Sequence, residues 1–176
     1  MDSGGAGKFR GGVGGEWCVV LHDAPTEEIG LVAFGYNLEA GLNLGICGGY
    51  PGSGLNYLVA RGSDINERLE HGDLPKSIEE LKGNLQELEI NKPSVVRTGD
   101  AIYYRWSGGG GYGDPIDREP GLVQKDVANG FVSLESAKEI YGVVIDPETL
   151  EIDIKKTEQR RGEIRRDRLA APKAMQ

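Results

Sequence analysis

Apolar and β-branched residues in this chain come in short runs that predict strands first and helices later. Residues 16–22, Glu-Trp-Cys-Val-Val-Leu-His, read as a strand by β-branched and aromatic content, and residues 29–36 read the same way. Leu55 to Arg61 and Leu85 to Ile90 are further candidates. In Asp100-Ala-Ile-Tyr-Tyr-Arg-Trp106 a period of two sends Ala101, Tyr103 and Arg105 to one face, and Ile102, Tyr104 and Trp106 to the other. Ser77-Ile-Glu-Glu80 matches a capping box opening a short helix that Gly83 closes. Two more helices are predicted over 120–128 and 134–141, the second capped by Ser133 and stopped by Gly142. Val143-Val-Ile145 and Ile152-Asp-Ile154 read as short strands around the turn Asp146-Pro-Glu148. Beyond Lys155 the chain is charged and predicts a helix with a loose Ala/Pro tail. The expectation is an α+β fold: a β-rich single domain over 1–154 with glycine-rich loops and short helices gathered in the C-terminal third, then a charged helix and tail over 155–176.

The pattern breaks at glycine. The chain holds 28 glycines in 176 residues, about twice ordinary usage. They cluster in Asp2-Ser-Gly-Gly-Ala-Gly-Lys-Phe-Arg-Gly-Gly12, in the turn-rich loop Gly45 to Gly54, and in Trp106-Ser-Gly-Gly-Gly-Gly-Tyr-Gly-Asp-Pro115. Four glycines in a row do nothing for helix or strand stability, because glycine loses the most backbone entropy on ordering. They belong where another surface approaches the backbone closely, either a ligand or another polypeptide. Exposed loops of this kind also predict poor solubility for the isolated chain.

At 38% hydrophobic and 27% charged the composition is that of an ordinary soluble protein with one core. No apolar stretch is long enough to span a bilayer, and the N-terminus lacks the regions of a signal peptide, so a cytoplasmic location is expected. The net charge of −8 is uneven: from Lys155 onward eight Lys/Arg face three Asp/Glu, or +5, leaving −13 for residues 1–154. That acidic body argues against nucleic acid as the main partner. The basic tail reads as a solvated helix of mixed charge in preference to a phosphate- or subunit-binding arm. Cys18 and Cys47 make no disulfide framework.

Local motifs yield little chemistry. Gly7-Lys8 fails as a phosphate loop, with Asp2 where a glycine is needed and Phe9 where Ser or Thr is needed. Gly108, Gly110 and Gly113 have dinucleotide-fingerprint spacing, but Asp114-Pro115 follows where a helix should run on. Cys18, His22, Cys47 and His71 lack the paired spacing of zinc ligands, and two histidines build no convincing nucleophile–base pair. Asp2, Asp114 and Asp117 are the carboxylates nearest the glycine runs, with Asp114 reading as an Asp-Pro turn residue.

Taken together, these segments resemble the C-terminal part of the hydantoinase B/oxoprolinase family. Asp2 to Gly12 resembles its D-S-G-G-A-G-[KR]-[FYW]-R-G-G segment, and Gly48-Gly-Tyr-Pro-Gly-Ser53 its G-G-x-P-G loop. Thr98-Gly-Asp100 with Gly108-Gly-Gly-Gly-Tyr-Gly-Asp-Pro115 is similar to its G-D…G-G-G-G-Y-G-D-P pattern. Asp126-Val-Ala-Asn-Gly-Phe-Val-Ser133 and Tyr141-Gly-Val-Val144 resemble its D-V-x-x-G-x-V-S…Y-G-V-V ending. The order runs from Asp2 to about Asp146, with Trp106-Ser107 standing where the family usually has Thr-Pro.

The resemblance implies a split-gene small subunit completing a larger hydantoinase B-like subunit, in a hetero-oligomer with a hydantoinase A-like ATP-binding subunit. It implies no cofactor or metal on this chain; ATP, magnesium and a zinc or manganese ion belong to the partners. Two activities follow from it: ATP-dependent carboxylation of a ketone such as acetone or acetophenone, or ATP-dependent hydrolysis of a cyclic amide such as hydantoin or 5-oxoproline. A purely structural assembly subunit is the reading of another class. No catalytic residue is assigned, and substrate-site or interface lining is expected at Asp2, Ser3, Gly4, Gly5, Arg10, Gly108, Gly109, Gly110, Gly111, Tyr112 and Asp114.

Overall fold

Strand pairing organises one part of the chain and glycine packing the other. A computed structural model describes residues 1–35 and 43–170; the predicted strand end at residue 36 and the Ala/Pro tail from residue 171 lie outside the described residues. Contacts divide the described chain into two compact units, 14–35 with 54–107, and 1–13 with 43–53 and 108–170.

The strand unit holds β1 (Glu16–Val20), β2 (Glu28–Val32), β3 (Asn56–Arg61), α1 (Ile65–Glu70), β4 (Asn84–Glu87), β5 (Pro93–Arg97) and β6 (Ala101–Arg105). Four strands form an antiparallel sheet in the order β1-β6-β3-β4, and β2 pairs antiparallel with β5. The alternation read in residues 101–106 is realised. Ala101 and Tyr103 pack with Leu58, Ala60, Ile65 and Ile78 on one side. Ile102 and Tyr104 pack with Tyr57, Val59 and Val96 on the other.

Two elements here carry weak sequence signals. The strand β5 opens on a proline and holds only Val95-Val96 as β-branched support. The helix α1 is a turn and a half, with Asp64 at its start and Ile65 and Leu69 on one face. The predicted capping box is corrected: Ile78–Glu80 is a single 3-10 turn, and Ser77 makes no side-chain cap. Glu80 reaches back instead to the Lys76 amide, 3.1 Å away. Buried Asp100 ties β3 to the β5–β6 turn, accepting from the amides of Gly62 (2.9 Å) and Arg97 (3.0 Å) and pairing with Arg61 at 2.8 Å.

The second unit holds α2 (Pro120–Ala128), α3 (Leu134–Glu139) and α4 (Ile154–Ala170) around a core of Ala6, Val123, Val132, Ala137, Tyr141, Val143 and Ile145. Ser133 caps α3 as expected, its side-chain oxygen accepting from the Ser136 amide at 3.0 Å. Gly142 adopts a positive φ of 65° just beyond it. Both predicted C-terminal strands, 143–145 and 152–154, shrink to one bridge, Ile145 with Ile152, and the second is cut short where Asp153 accepts from the Lys156 amide at 3.0 Å and starts α4. The solvated-helix expectation for the basic tail is corrected too. Thr157 and Ile164 are buried, and Arg161 donates to the carbonyls of Tyr141 (3.1 Å) and Arg118 (2.6 Å). Arg160 and Arg168 pair with Glu139 and Asp114.

Candidate functional site

The three glycine-rich segments meet one another. The Gly5 amide donates to the Gly109 carbonyl at 2.8 Å, the Gly111 amide to that of Tyr50 at 2.9 Å, and the Tyr50 amide to that of Ala6 at 2.7 Å. Phe9 and Tyr112 exchange two hydrogen bonds of 2.9 Å, while Ile46 donates to Gly111 and accepts from Gly113, both at 3.0 Å. Side chains are excluded by this stacking. A Cβ on Gly111 would lie under 3.0 Å from the Ala6 carbonyl oxygen, and one on Gly49 equally close to that of Gly111. The close approach demanded by the glycine runs is therefore met inside the chain. The amides of Gly108, Gly109, Gly111 and Gly113 donate to Ser53, Gly12, Tyr50 and Ile46, so they are not free to cradle an anion.

The N-terminal motif clamps the helices that follow. Asp2, at a φ of 59°, donates its amide to Phe131 and accepts at Oδ1 from the Ser133 amide, both at 2.9 Å. The Ser3 carbonyl accepts from Ser53 at 2.8 Å. Arg10 contacts both carboxylate oxygens of Asp126 at 3.1 and 3.3 Å and lies over the Phe131 ring at 5.3 Å. Arg118 reaches the same Asp126 at 2.9 Å and the Lys8 carbonyl at 3.0 Å. This buried Arg–Asp–Arg group was not read from the sequence. Its signal is a carboxylate at a core-facing position, three residues after buried Val123. Asp114 is a turn residue: it caps the 3-10 turn Pro115–Asp117 through the Ile116 amide (3.0 Å) and pairs with Arg168 at 2.6 Å.

Asp2, Gly4, Ala6, Tyr50, Pro51, Val132, Ser136, Ile140 and Tyr141 line a cleft of about 380 Å³. Its walls are largely apolar, and burial pushes the Tyr141 hydroxyl above the ordinary tyrosine range, against the pull of Arg118 and Arg10. The lining offers no histidine, cysteine or lysine. It suits an apolar group with polar atoms at Asp2 and Ser136, and lacks a nucleophile–base pair.

Of the sequence's metal candidates, His22, His71 and Cys18 have polar neighbours and Cys47 is an exposed free thiol. His22 contacts Asp23 at 2.9 Å and His71 the Glu67 carbonyl at 2.8 Å. Desolvation pushes the Cys18 thiol up, with a hydrogen bond from Tyr103 acting the other way, and the Tyr103 hydroxyl is itself pushed up to about 12. Among the described residues no three His, Cys, Asp or Glu side chains are grouped to hold a metal ion. None of the described helices is long and apolar enough to cross a membrane.

The hydantoinase B/oxoprolinase family profile matches residues 1–115 of 176. This chain belongs to the hydantoinase B/oxoprolinase family. Among hydantoinase B relatives, the acetophenone carboxylase delta subunit of Aromatoleum aromaticum is 31% identical over 170 residues, covering 91% of this chain and 25% of that subunit. The nucleotide-free structure of acetone carboxylase superposes with a TM-score of 0.76 at 28% identity, over 100% of this chain and 25% of the other. The ATP-dependent caprolactamase of Pseudomonas jessenii superposes with a TM-score of 0.57 at 28% identity, over 92% and 24%. The chain thus spans about a quarter of the hydantoinase B relatives it matches. The family's D-V-x-x-G-x-V-S segment acquires physical meaning here: Asp126 takes the two arginines, Gly130 ends α2 at a φ of 71°, Val132 is buried and Ser133 caps α3.

Proposed function

We propose that this chain is a small subunit of an ATP-dependent ketone carboxylase of the acetone or acetophenone type, completing a larger hydantoinase B-like subunit beside an ATP-binding hydantoinase A-like subunit. The observation that carries the reading is the full-length superposition on acetone carboxylase, closer than that on caprolactamase. In such an enzyme ATP phosphorylates an enol or carbonyl oxygen, and magnesium and positioning groups on the partners serve that transfer. This chain's own residues hold shape: Arg10, Asp126 and Arg118 fix the glycine stack against α2, and the cleft beside Asp2 offers an apolar wall. A role in lining the substrate passage belongs to that cleft more than to Gly108–Gly111, whose packing is internal.

Cyclic-amide hydrolysis is the second reading, favoured by the caprolactamase likeness at equal identity. Both are tested on the assembly purified through this chain. ATP-dependent incorporation of labelled bicarbonate into a ketone is the expected result. ATP-dependent ring opening of a lactam or hydantoin without carboxylation selects the second reading, and an intact assembly that does neither removes both.

A further inference from the structure

The glycine stack turns its amides inward, yet its outer edge is apolar. Tyr112 pairs antiparallel with Phe9 and parallel with Ile46, and residues directly opposite one another in a ladder share a face. The three side chains stand as a row, 61%, 49% and 59% exposed for Phe9, Tyr112 and Ile46. The rings of Phe9 and Tyr112 are 6.1 Å apart. Leu44, two residues before Ile46, is 73% exposed. None of the four belongs to the core cluster of its unit. Scattered apolar residues on a surface are ordinary, but a contiguous row on one face marks a contact site.

The row is also preorganised. The backbone under it is held by the paired bonds of Phe9 with Tyr112 and of Ile46 with Gly111 and Gly113. Little backbone freedom remains to be lost on binding.

The geometry points to this row as the seat of a hydantoinase B-like polypeptide, the larger subunit of the proposed assembly; the inference rests on the split-subunit reading above. The acetone carboxylase chain supplies the occupant: all of this chain matches a quarter of it, and the equivalent piece there belongs with three further quarters of polypeptide. A surface that one part of a fold presents to the rest resembles a core cut open, apolar and rigid.

The test uses the tagged full chain produced in its source organism, with co-purifying polypeptides quantified by mass spectrometry. The wild type is expected to retain a hydantoinase B-like polypeptide, and F9S/I46S/Y112S to retain at least tenfold less. Leu74→Ser, at an exposed apolar residue of the other unit, is expected to retain as much as wild type. Circular dichroism melting checks that the triple variant folds; if it does not, Phe9→Ser alone is read in its place, with a severalfold loss expected. Equal retention by wild type and a folded row variant, or an equal loss with Leu74→Ser, overturns the row as the seat and leaves the split-subunit reading standing. A wild type that retains no such polypeptide overturns that reading itself. A dimer of the isolated chain that the row variant dissociates overturns the occupant, assigning the row to a second copy.

Discussion

At the scale of single residues, the glycines divide into those that are spacers between backbones and those that are not. Gly111→Ala drives a Cβ into the Ala6 carbonyl and is expected to cost about 3 kcal/mol or more, the upper range of overpacking. Gly12→Ala meets nothing within 4 Å and is expected to stay within about 0.5 kcal/mol of wild type; urea melts of both check the contrast. Asp126→Ala strands two guanidinium groups that are only 14% and 11% exposed, for an expected loss of about 3 kcal/mol in the same assay. Asp100 sets an acid limit. Burial pushes its carboxyl up, but the Arg97 and Gly62 amides and the Arg61 guanidinium outweigh burial and hold it below the usual aspartate range. A folded value below the unfolded value of about 3.9 means that its stabilisation is complete above that pH and lost as pH falls through the folded value. Asp100→Asn is therefore expected to be less stable near neutrality and to lose less further stability between about pH 5 and pH 2, measured by urea melts across that range.

At the scale of elements, α4 is the sharpest departure from the sequence pattern. Its charge density reads as a solvated helix, and its few buried positions, Thr157 and Ile164, are too sparse to announce a docked face. Ile164→Ala is expected to cost about 2 to 3 kcal/mol, an ordinary core truncation, whereas a solvated helix would lose almost nothing. Circular dichroism melting decides between them. Elements whose own residues carry the pattern were legible: β6 by alternation, and α2 by its proline start and regular apolar spacing. The strand β5 and helix α1 were not: β5 opens on a proline with only Val95-Val96 as β-branched support, and α1 is a turn and a half, too short for a helical period to show. The candidate site was half legible. Asp2, Arg10 and the glycines drew notice as residues, but what they touch is set by long-range closure. Nothing local in the sequence pairs Arg10 with Asp126, or Gly111 with Ala6. The glycine runs correctly announced close backbone approach and misidentified the backbone that approaches.

At the scale of the whole molecule, the source of the expected poor solubility moves. Gly5, Gly11, Gly49, Gly52, Gly108 and Gly111 pack against neighbouring backbone, and exposed apolar side chains remain: Phe9, Leu44, Ile46 and Tyr112 in one unit, Trp17 and Trp106 in the other. Light scattering of the isolated chain is expected to rise with concentration, and F9S/I46S/Y112S to lower it; a monodisperse wild type at all concentrations would contradict this. The uneven charge resolves similarly, since arginines of the basic helix are spent on Asp114, Asp117 and Glu139.

The strips of the glycine stack are separated along the chain by both segments of the strand unit. A ribosome therefore releases the first strip early and holds back the last until the strands have emerged. Tyr112, at the centre of the apolar row, belongs to that last strip. A chain that stops short of Tyr112 lacks the middle of the proposed row, so a partner seated there meets it only after both strand segments have been made.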